Sequence, residues 1–248
     1  MGAARSPSVD PSPRARKTAA ADRRRERTAE IVAATRALFD ERGVRDAQIE
    51  DIANAVGINR AIIYRHFSGK EELFAMTLVT YLDELVQEMA AADDESHRPA
   101  ARLRAVASAF LVYGEQHPPF VDCAQALLSR PGTELMQDVS EAALFRLGRS
   151  IANCLGRLVR VLEAGVATGD FVISKPDLLA NVLYTQALGG LHLARLQLSV
   201  REATPGFPEV AVVSFDEVKD YLIEAAVAMA AGAGSSAEAK GLSAGGSR

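Results

Sequence analysis

The sequence predicts an all-α protein in two parts, a small N-terminal three-helix domain and a larger helical domain behind it. Apolar residues recur at spacings of three and four along nearly the whole chain, and strand-like alternation is confined to a few residues near Val210–Val213. Residues 46–74 set two short amphipathic segments on either side of a glycine, the pattern of a helix-turn-helix. Charge is divided unevenly: residues 1–70 hold 14 Lys or Arg against 9 Asp or Glu, and residues 71–248 hold 14 against 23. A basic N-terminal third is the footprint of a nucleic-acid surface, and an acidic remainder keeps away from phosphates.

Taken in order, residues 1–21 are Pro, Ser, Ala and Arg with few apolar anchors and are expected to form a disordered basic arm. The helix-turn-helix domain, expected to bind DNA, then spans 22–70. A first helix over 22–42 carries Ile31, Thr35, Leu38 and Phe39 on one face and stops at Gly43. A second over 47–55 places Ile49, Ile52, Ala53 and Val56 at helical spacing and breaks at Gly57; Asn59 caps a third that runs to about His66. Ser68 to Glu71 reads as a capping box opening a long fourth helix, with Leu73, Phe74, Leu78, Tyr81, Leu82, Leu85 and Met89 as its apolar positions.

Residues 71–231 form the second domain. Beyond a polar hinge at Asp93–Pro99, helices are expected at 100–116, 119–129, 134–168, 176–198 and 214–231. The 134–168 helix carries a stripe of Leu144, Gly148, Ile151, Leu155, Leu158 and Leu162 and ends at Gly169; the last helix opens with a Ser214–Glu217 capping box. Residues 199–213, with Pro205, Gly206 and Pro208, read as one long irregular loop, and 232–248 as a disordered Gly/Ser/Ala tail.

Composition excludes several classes. Two cysteines, Cys123 and Cys154, make no disulfide framework and read as buried thiols in a reducing compartment. The longest uncharged run, Leu178–Ala194, falls short of the ~20 apolar residues of a membrane span and contains polar groups. The first 20 residues have no apolar core for a signal peptide, so a cytoplasmic protein with no membrane association is expected. The four histidines are scattered, so neither a metal site nor another cofactor is expected, and no catalytic constellation is visible. Gly-rich matches in the tail lack the strand and helix that a nucleophile elbow or a dinucleotide loop needs.

Within residues 46–74, Ile49, Ile52, Val56, Ile58 and Ile63 face inward, Ala53 is small where the helices approach, and Gly57 stands where the turn needs a positive φ. That leaves Asn59, Arg60, Ala61, Tyr64 and Arg65 free on the outer face. These types suit a major groove: Arg60 can donate twice to guanine, Asn59 can pair with adenine, and Ala61 or Ile62 can touch a thymine methyl. Lys70, at a helix N-terminus, suits a phosphate. Arg23, Arg24, Arg25 and Arg27 form a basic lead-in that either tracks the DNA backbone or is simply solvated.

The run DIANAVGINRAIIYRHFSGKEEL closely resembles the DNA-binding domain of the tetracycline-repressor (TetR) family of bacterial transcriptional regulators, over about residues 24–74. The resemblance implies a homodimer that binds a palindromic double-stranded DNA operator and releases it when a small-molecule effector enters the second domain. Carried over, the family's Gly-Val-Ser turn is Gly57, Ile58, Asn59, its recognition-helix aromatics are Tyr64 and Phe67, and Tyr64, His66 and Lys70 take the phosphate-contacting places. Gln48 stands where a threonine is usual, at a phosphate contact, and Ile62 where a small residue is usual.

For the effector, Phe110, Tyr113, Phe120, Met136, Phe145, Tyr184 and His192 are the candidate lining residues, on mostly apolar helices that suit a hydrophobic ligand. For the dimer, the 176–198 helix, uncharged for most of its length, offers Ala187, Gly189, Gly190 and Ala194, and neither it nor the last helix can hide all its apolar surface within one chain. A ligand-responsive repressor without catalysis is therefore expected. The alternatives are an activator or regulator lacking an effector, and a helical-bundle enzyme or carrier.

Overall fold

A polyalanine-like stretch with interspersed Arg and Lys needs no buried face to be helical, because its intrinsic propensity is high. The chain accordingly begins its first helix early. The structure, a computed structural model, describes residues 13–232, and α1 runs Pro13–Arg42 with Pro13 in the first turn. Residues 13–21, expected to be disordered, are about two and a half further turns of this helix; the rest of the expected arm, 1–12, and of the expected tail, 233–248, lies outside the described residues.

Gly43 (φ 80°) ends α1, and α2 (Ile49–Val56), α3 (Arg60–His66) and α4 (Lys70–Ala92) follow. Ile31, Phe39, Ile52, Ile63 and Leu73 are all within 1% of complete burial where the first three helices meet the start of α4, and they belong to the same buried cluster as the helices that follow. Phe39 meets Phe74 edge-on at 4.8 Å. The expected capping box at Ser68–Glu71 is displaced by one residue: Gly69 is the N-cap, and the carboxylate that accepts the Ser68 amide, at 3.1 Å, is Glu72.

Helix α4 leads into the remaining helices, α5 (Pro99–Gln116), α6 (Pro118–Leu128), α7 (Gly132–Asp138), α8 (Glu141–Thr168), α9 (Pro176–Leu196) and α10 (Phe215–Ala230). α4 lies against α8 and α5, and α9 and α10 pack on each other and on the α5–α8 pair. The expected 134–168 helix is two helices, because the extended Val139 and the Ser140 cap, whose Oγ accepts from the Ala143 amide at 3.4 Å, restart the chain. On α8 the buried positions are Ala143, Leu147, Ser150, Cys154, Leu158, Val161, Leu162 and Gly165, one step round from the expected stripe. Gly148 is exposed, and Leu144, Ile151 and Leu155 are half-buried. Ser150 is tolerated inside because its hydroxyl donates to Asp83 at 2.7 Å.

The expected irregular loop is a β-hairpin, β1 (Leu198–Thr204) antiparallel to β2 (Phe207–Val212). Pro205 and Gly206 (φ 82°) make the reversal, the order a type II turn favours. Pro208 does not disrupt the pair because both strands of a two-stranded sheet are edges. After it, the Ser214–Glu217 box forms as expected: the Ser214 amide donates to Glu217 at 2.8 Å, and the Glu217 amide to Ser214 Oγ at 3.2 Å.

One close approach changes a sequence expectation. Gly190 on α9 faces α10 of the same chain, where an added Cβ would stand 2.3 Å from Leu222 Cδ1. Ala194 is buried as well, so of the four small residues Gly189 is the one open to solvent. Among the described residues no helix is long and apolar enough to cross a membrane.

Candidate functional site

The α2–α3 corner follows its local sequence closely. Gly57 takes φ 69°, the left-handed conformation that lets its amide return to Asn54 at 3.1 Å, and the Ile58 amide reaches Ala53 at 2.9 Å. Asn59 Oδ1 then accepts the Ala61 amide at 2.9 Å and starts α3. Ile63 is buried, so α3 is held by its inner face while Arg60, Ala61, Tyr64 and Arg65 stand in solvent. Tyr64 is 48% exposed, unusual for an aromatic residue with nothing to cover it. Gln48 is exposed at the start of α2, with its amide donating to Asp51 at 3.4 Å.

Two residues of this face are already engaged. Arg60 Nη1 donates to Glu50 Oε1 of α2 at 2.6 Å, a contact that raises the guanidinium pKa and holds the Glu50 carboxyl below its usual range. The exposed guanidinium is thereby held against α2. His66 lies 2.9 Å from the Thr28 hydroxyl through Nδ1, and that hydroxyl donates to the Arg24 carbonyl at 2.8 Å. With the hydroxyl proton given to Arg24, the ring nitrogen donates to Thr28, a contact that ties α3 to α1. Burial, and then Arg24, Arg27 and Arg65, push the His66 pKa down. Lys70 Nζ sits 4.9 Å above the Phe74 ring at the N-terminus of α4. In the basic lead-in Arg25 pairs with Asp22 and Arg27 with Glu30, while Arg23 and Arg24 form no salt bridge among the described residues. Neither Glu50 nor Thr28 was singled out from sequence; only the fold reveals that they touch Arg60 and His66.

In the second domain a cavity of about 60 Å³ lies among α4, α5, α8, α9 and α10. Its walls are apolar, with Leu103, Val106, Leu155, Leu158, Leu183 and Leu222 prominent. Of the candidate residues, Phe110 and Tyr184 line it and meet edge-on at 5.8 Å. Tyr113 and Phe120 lie behind that wall: Phe120 is fully buried against Phe110 and Tyr113, and the Tyr113 hydroxyl donates to Glu84 at 2.8 Å. Met136 and Phe145, each 72% exposed, and His192, also exposed, stand apart from it. The wall is aliphatic where the sequence points to aromatics; Leu155 and Leu158, one turn apart on α8, are the local signal for it. Burial raises the Tyr184 hydroxyl to about 12 and the Cys154 thiol to about 12, so both are neutral here. Among the described residues no group of His, Cys, Asp and Glu could hold a metal ion.

The two parts are joined by polar contacts as well as by core. Glu84 of α4 takes the Arg36 guanidinium of α1 and the Tyr113 hydroxyl of α5 together, Arg36 lies 4.4 Å over the Tyr81 ring, and Tyr81 donates to Asp40 at 2.7 Å. Lower on α4, Glu72 is held by Ser68 beside α3 and by Ser140 at the start of α8. The wall of the cavity and the recognition corner therefore share α4.

Residues 31–76 match the profile of the bacterial regulatory proteins of the tetR family. The chain is 30% identical over 162 residues to the HTH-type transcriptional repressor KstR2 of Mycobacterium tuberculosis, a match that covers 64% of this chain and 74% of that one. The fold is similar to that of RolR in complex with resorcinol (TM-score 0.60, 18% identity, 85% of this chain and 90% of that one). It is also similar to FadR of Bacillus subtilis in complex with stearoyl-CoA (TM-score 0.58, 16% identity, 80% and 97%). A helix-turn-helix corner with a solvent-facing Arg60–Arg65 surface, a match to the family profile over that corner and a regulator aligned far beyond it lead to one conclusion: this chain belongs to the TetR family of bacterial transcriptional regulators.

Proposed function

We propose that the protein is a homodimeric repressor, without catalytic activity, that binds a palindromic operator in the cytoplasm and releases it when a small apolar effector enters the second domain. The observation that carries the reading is the exposed Arg60, Tyr64 and Arg65 face of α3 on a rigid, buried base. Arg60 and Asn59 are assigned to base edges, Ala61 to a thymine methyl, and Gln48, Tyr64, Arg65, His66 and Lys70 to the sugar-phosphate backbone. Two such helices related by a twofold axis enter successive major grooves about 34 Å apart, or somewhat more, so the operator is an inverted repeat.

The dimer face is argued from a stripe on α9. Leu178, Val182, Leu193 and Leu196 are exposed large apolar side chains, and with Thr185 and Gly189 between them they line one helix face; Tyr221 of α10 is exposed too. A seam with period near 3.5 is what a helix presents to a partner helix, and Gly189 lets that partner come close.

The effector reading rests on the cavity. About 60 Å³ is well below the roughly 300–1,000 Å³ of a ligand site, so an effector must push the walls apart to enter. That requirement favours a mechanism in which binding moves α5 and α8 against α4 and so shifts α3. Apolar walls favour an apolar guest with few polar groups, and proteins of similar fold are found in complex with resorcinol (RolR) and stearoyl-CoA (FadR). The test is selection of genomic fragments by the purified protein followed by footprinting: the reading predicts one protected inverted repeat per dimer. Protection of a single half-site, or no sequence preference at all, contradicts it.

A further inference from the structure

We infer that the β1–β2 hairpin is a dimerisation arm, whose apolar face packs across the twofold axis against a second copy of this chain. The register pairs Leu198 with Val212, Val200 with Val210 and Glu202 with Pro208 on one face of the hairpin. Four of those side chains are large, apolar and exposed: Leu198 by 52%, Val200 by 76%, Val210 by 60% and Val212 by 82%. The other face is polar, with Ser199 opposite Ala211 and an Arg201–Glu209 ion pair at 3.1 Å. A two-stranded hairpin is marginal in water by itself, and an exposed apolar strand invites aggregation unless something covers it.

Three observations make a second copy the occupant. The hairpin springs directly from the end of α9, where the Val213 amide donates to the Gln197 carbonyl at 3.1 Å. The exposed stripe assigned to the dimer, ending in Leu193 and Leu196, is therefore followed directly, across the left-handed Gln197, by exposed Leu198 and Val200. A stable interface takes roughly 800 Å² from each partner, and α9 and α10 together expose only five large apolar side chains, to which the apolar face of the hairpin adds four. Finally, residues 198–212 carry one Arg and two Glu, so the arm is weakly acidic and is repelled by operator phosphates rather than drawn to them.

The proposal rests on the dimer reading, and its test separates the two. Hydrogen exchange of the full chain is followed above and below the dimer dissociation constant set by analytical ultracentrifugation, for the parent, for Val200→Asp/Val212→Asp and for Ser199→Asp on the polar face. The arm predicts slower exchange of the 198–212 amides in the dimer, a dissociation constant raised at least about tenfold in the double variant, and a parent-like value for Ser199→Asp. A chain in which 199–211 is replaced by a Gly-Ser loop must weaken the dimer likewise, which guards against misfolding of the aspartate variant. If the parent dimerises while its hairpin amides exchange equally fast in both states, or if both hairpin variants dimerise like the parent, the arm is overturned and the dimer stands. A parent that stays monomeric at every concentration overturns both.

Discussion

The Glu72 carboxylate on α4 accepts the Ser140 hydroxyl at 2.8 Å and the Ser140 amide at 3.2 Å, so the first turn after the recognition corner is bonded to the first turn of α8. Ser68, just beyond α3, donates to the same carboxylate through its amide and its hydroxyl. Glu72 is 8% exposed. A buried charge of this kind persists only because its lone pairs are filled, and the groups that fill them come from both halves of the molecule.

Burial alone would push the Glu72 carboxyl up, but the bonds from Ser68 and Ser140 outweigh it and hold it below the usual carboxylate range. A lowered pKa in the folded state means that the stabilisation is present above the unfolded value of about 4.3 and is lost as pH falls through the folded one. Denaturant unfolding measured from pH 6 downward is therefore expected to show stability falling below about pH 4, with a flatter acid limb in Glu72→Gln. An identical acid limb in the variant would remove Glu72 from this role.

At the operator, Arg60→Ala is expected to lower affinity about tenfold to a hundredfold and to relax preference at one base step. Lys70→Ala lowers affinity for all sequences alike and reduces the salt slope by about one. Glu50→Gln, which removes the carboxylate holding Arg60, is expected to raise operator affinity. Fluorescence anisotropy across a salt series reads all three.

His66 starts neutral, its pKa lowered by burial and by Arg24, Arg27 and Arg65. A phosphate brought next to the ring favours the imidazolium, so binding takes up a proton and affinity rises as pH falls from 8 to 6. His66→Asn is expected to abolish that part of the pH dependence. Equal slopes in parent and variant would place His66 away from the backbone.

Gly190 and Leu193, three residues apart on α9, report different contacts. Gly190→Ala drives a methyl into Leu222 and is expected to cost about 1–3 kcal/mol of stability while leaving the dimer intact. Leu193→Asp puts a charge on the exposed stripe and is expected to yield folded monomer. Thermal unfolding and sedimentation velocity on the same samples distinguish the two effects.

The helix-turn-helix corner was legible in the sequence because its determinants are local: Gly57 at positive φ, Asn59 as a cap, and Ile49, Ile52 and Ile63 at helical spacing lie within 15 residues. The start of α1 is not legible in the sequence because Ala, Arg and Lys can be helical without an apolar face to announce it. The hairpin was hidden by Pro205 and Pro208, which read as breakers until the strand pairing shows one in the turn and the other on an edge. The cavity was the least legible feature. Which of Phe110, Tyr113, Phe120 and Tyr184 borders it depends on how α5, α6 and α9 pack, and nothing in the spacing of one helix carries that. The ties between Arg60 and Glu50 and between Glu72 and Ser140 likewise join residues 10 and 68 positions apart.

The central claim is that the cavity and the recognition helix are coupled, and one measurement tests it most directly. Apolar small molecules that raise the melting temperature are identified first, and operator affinity is then measured by anisotropy with and without each at saturation. The account predicts a loss of about 5- to 150-fold, the range of 1–3 kcal/mol of coupling, with the operator weakening effector binding by the same factor. Ligands that stabilise the protein by entering the cavity yet leave operator affinity unchanged would contradict it.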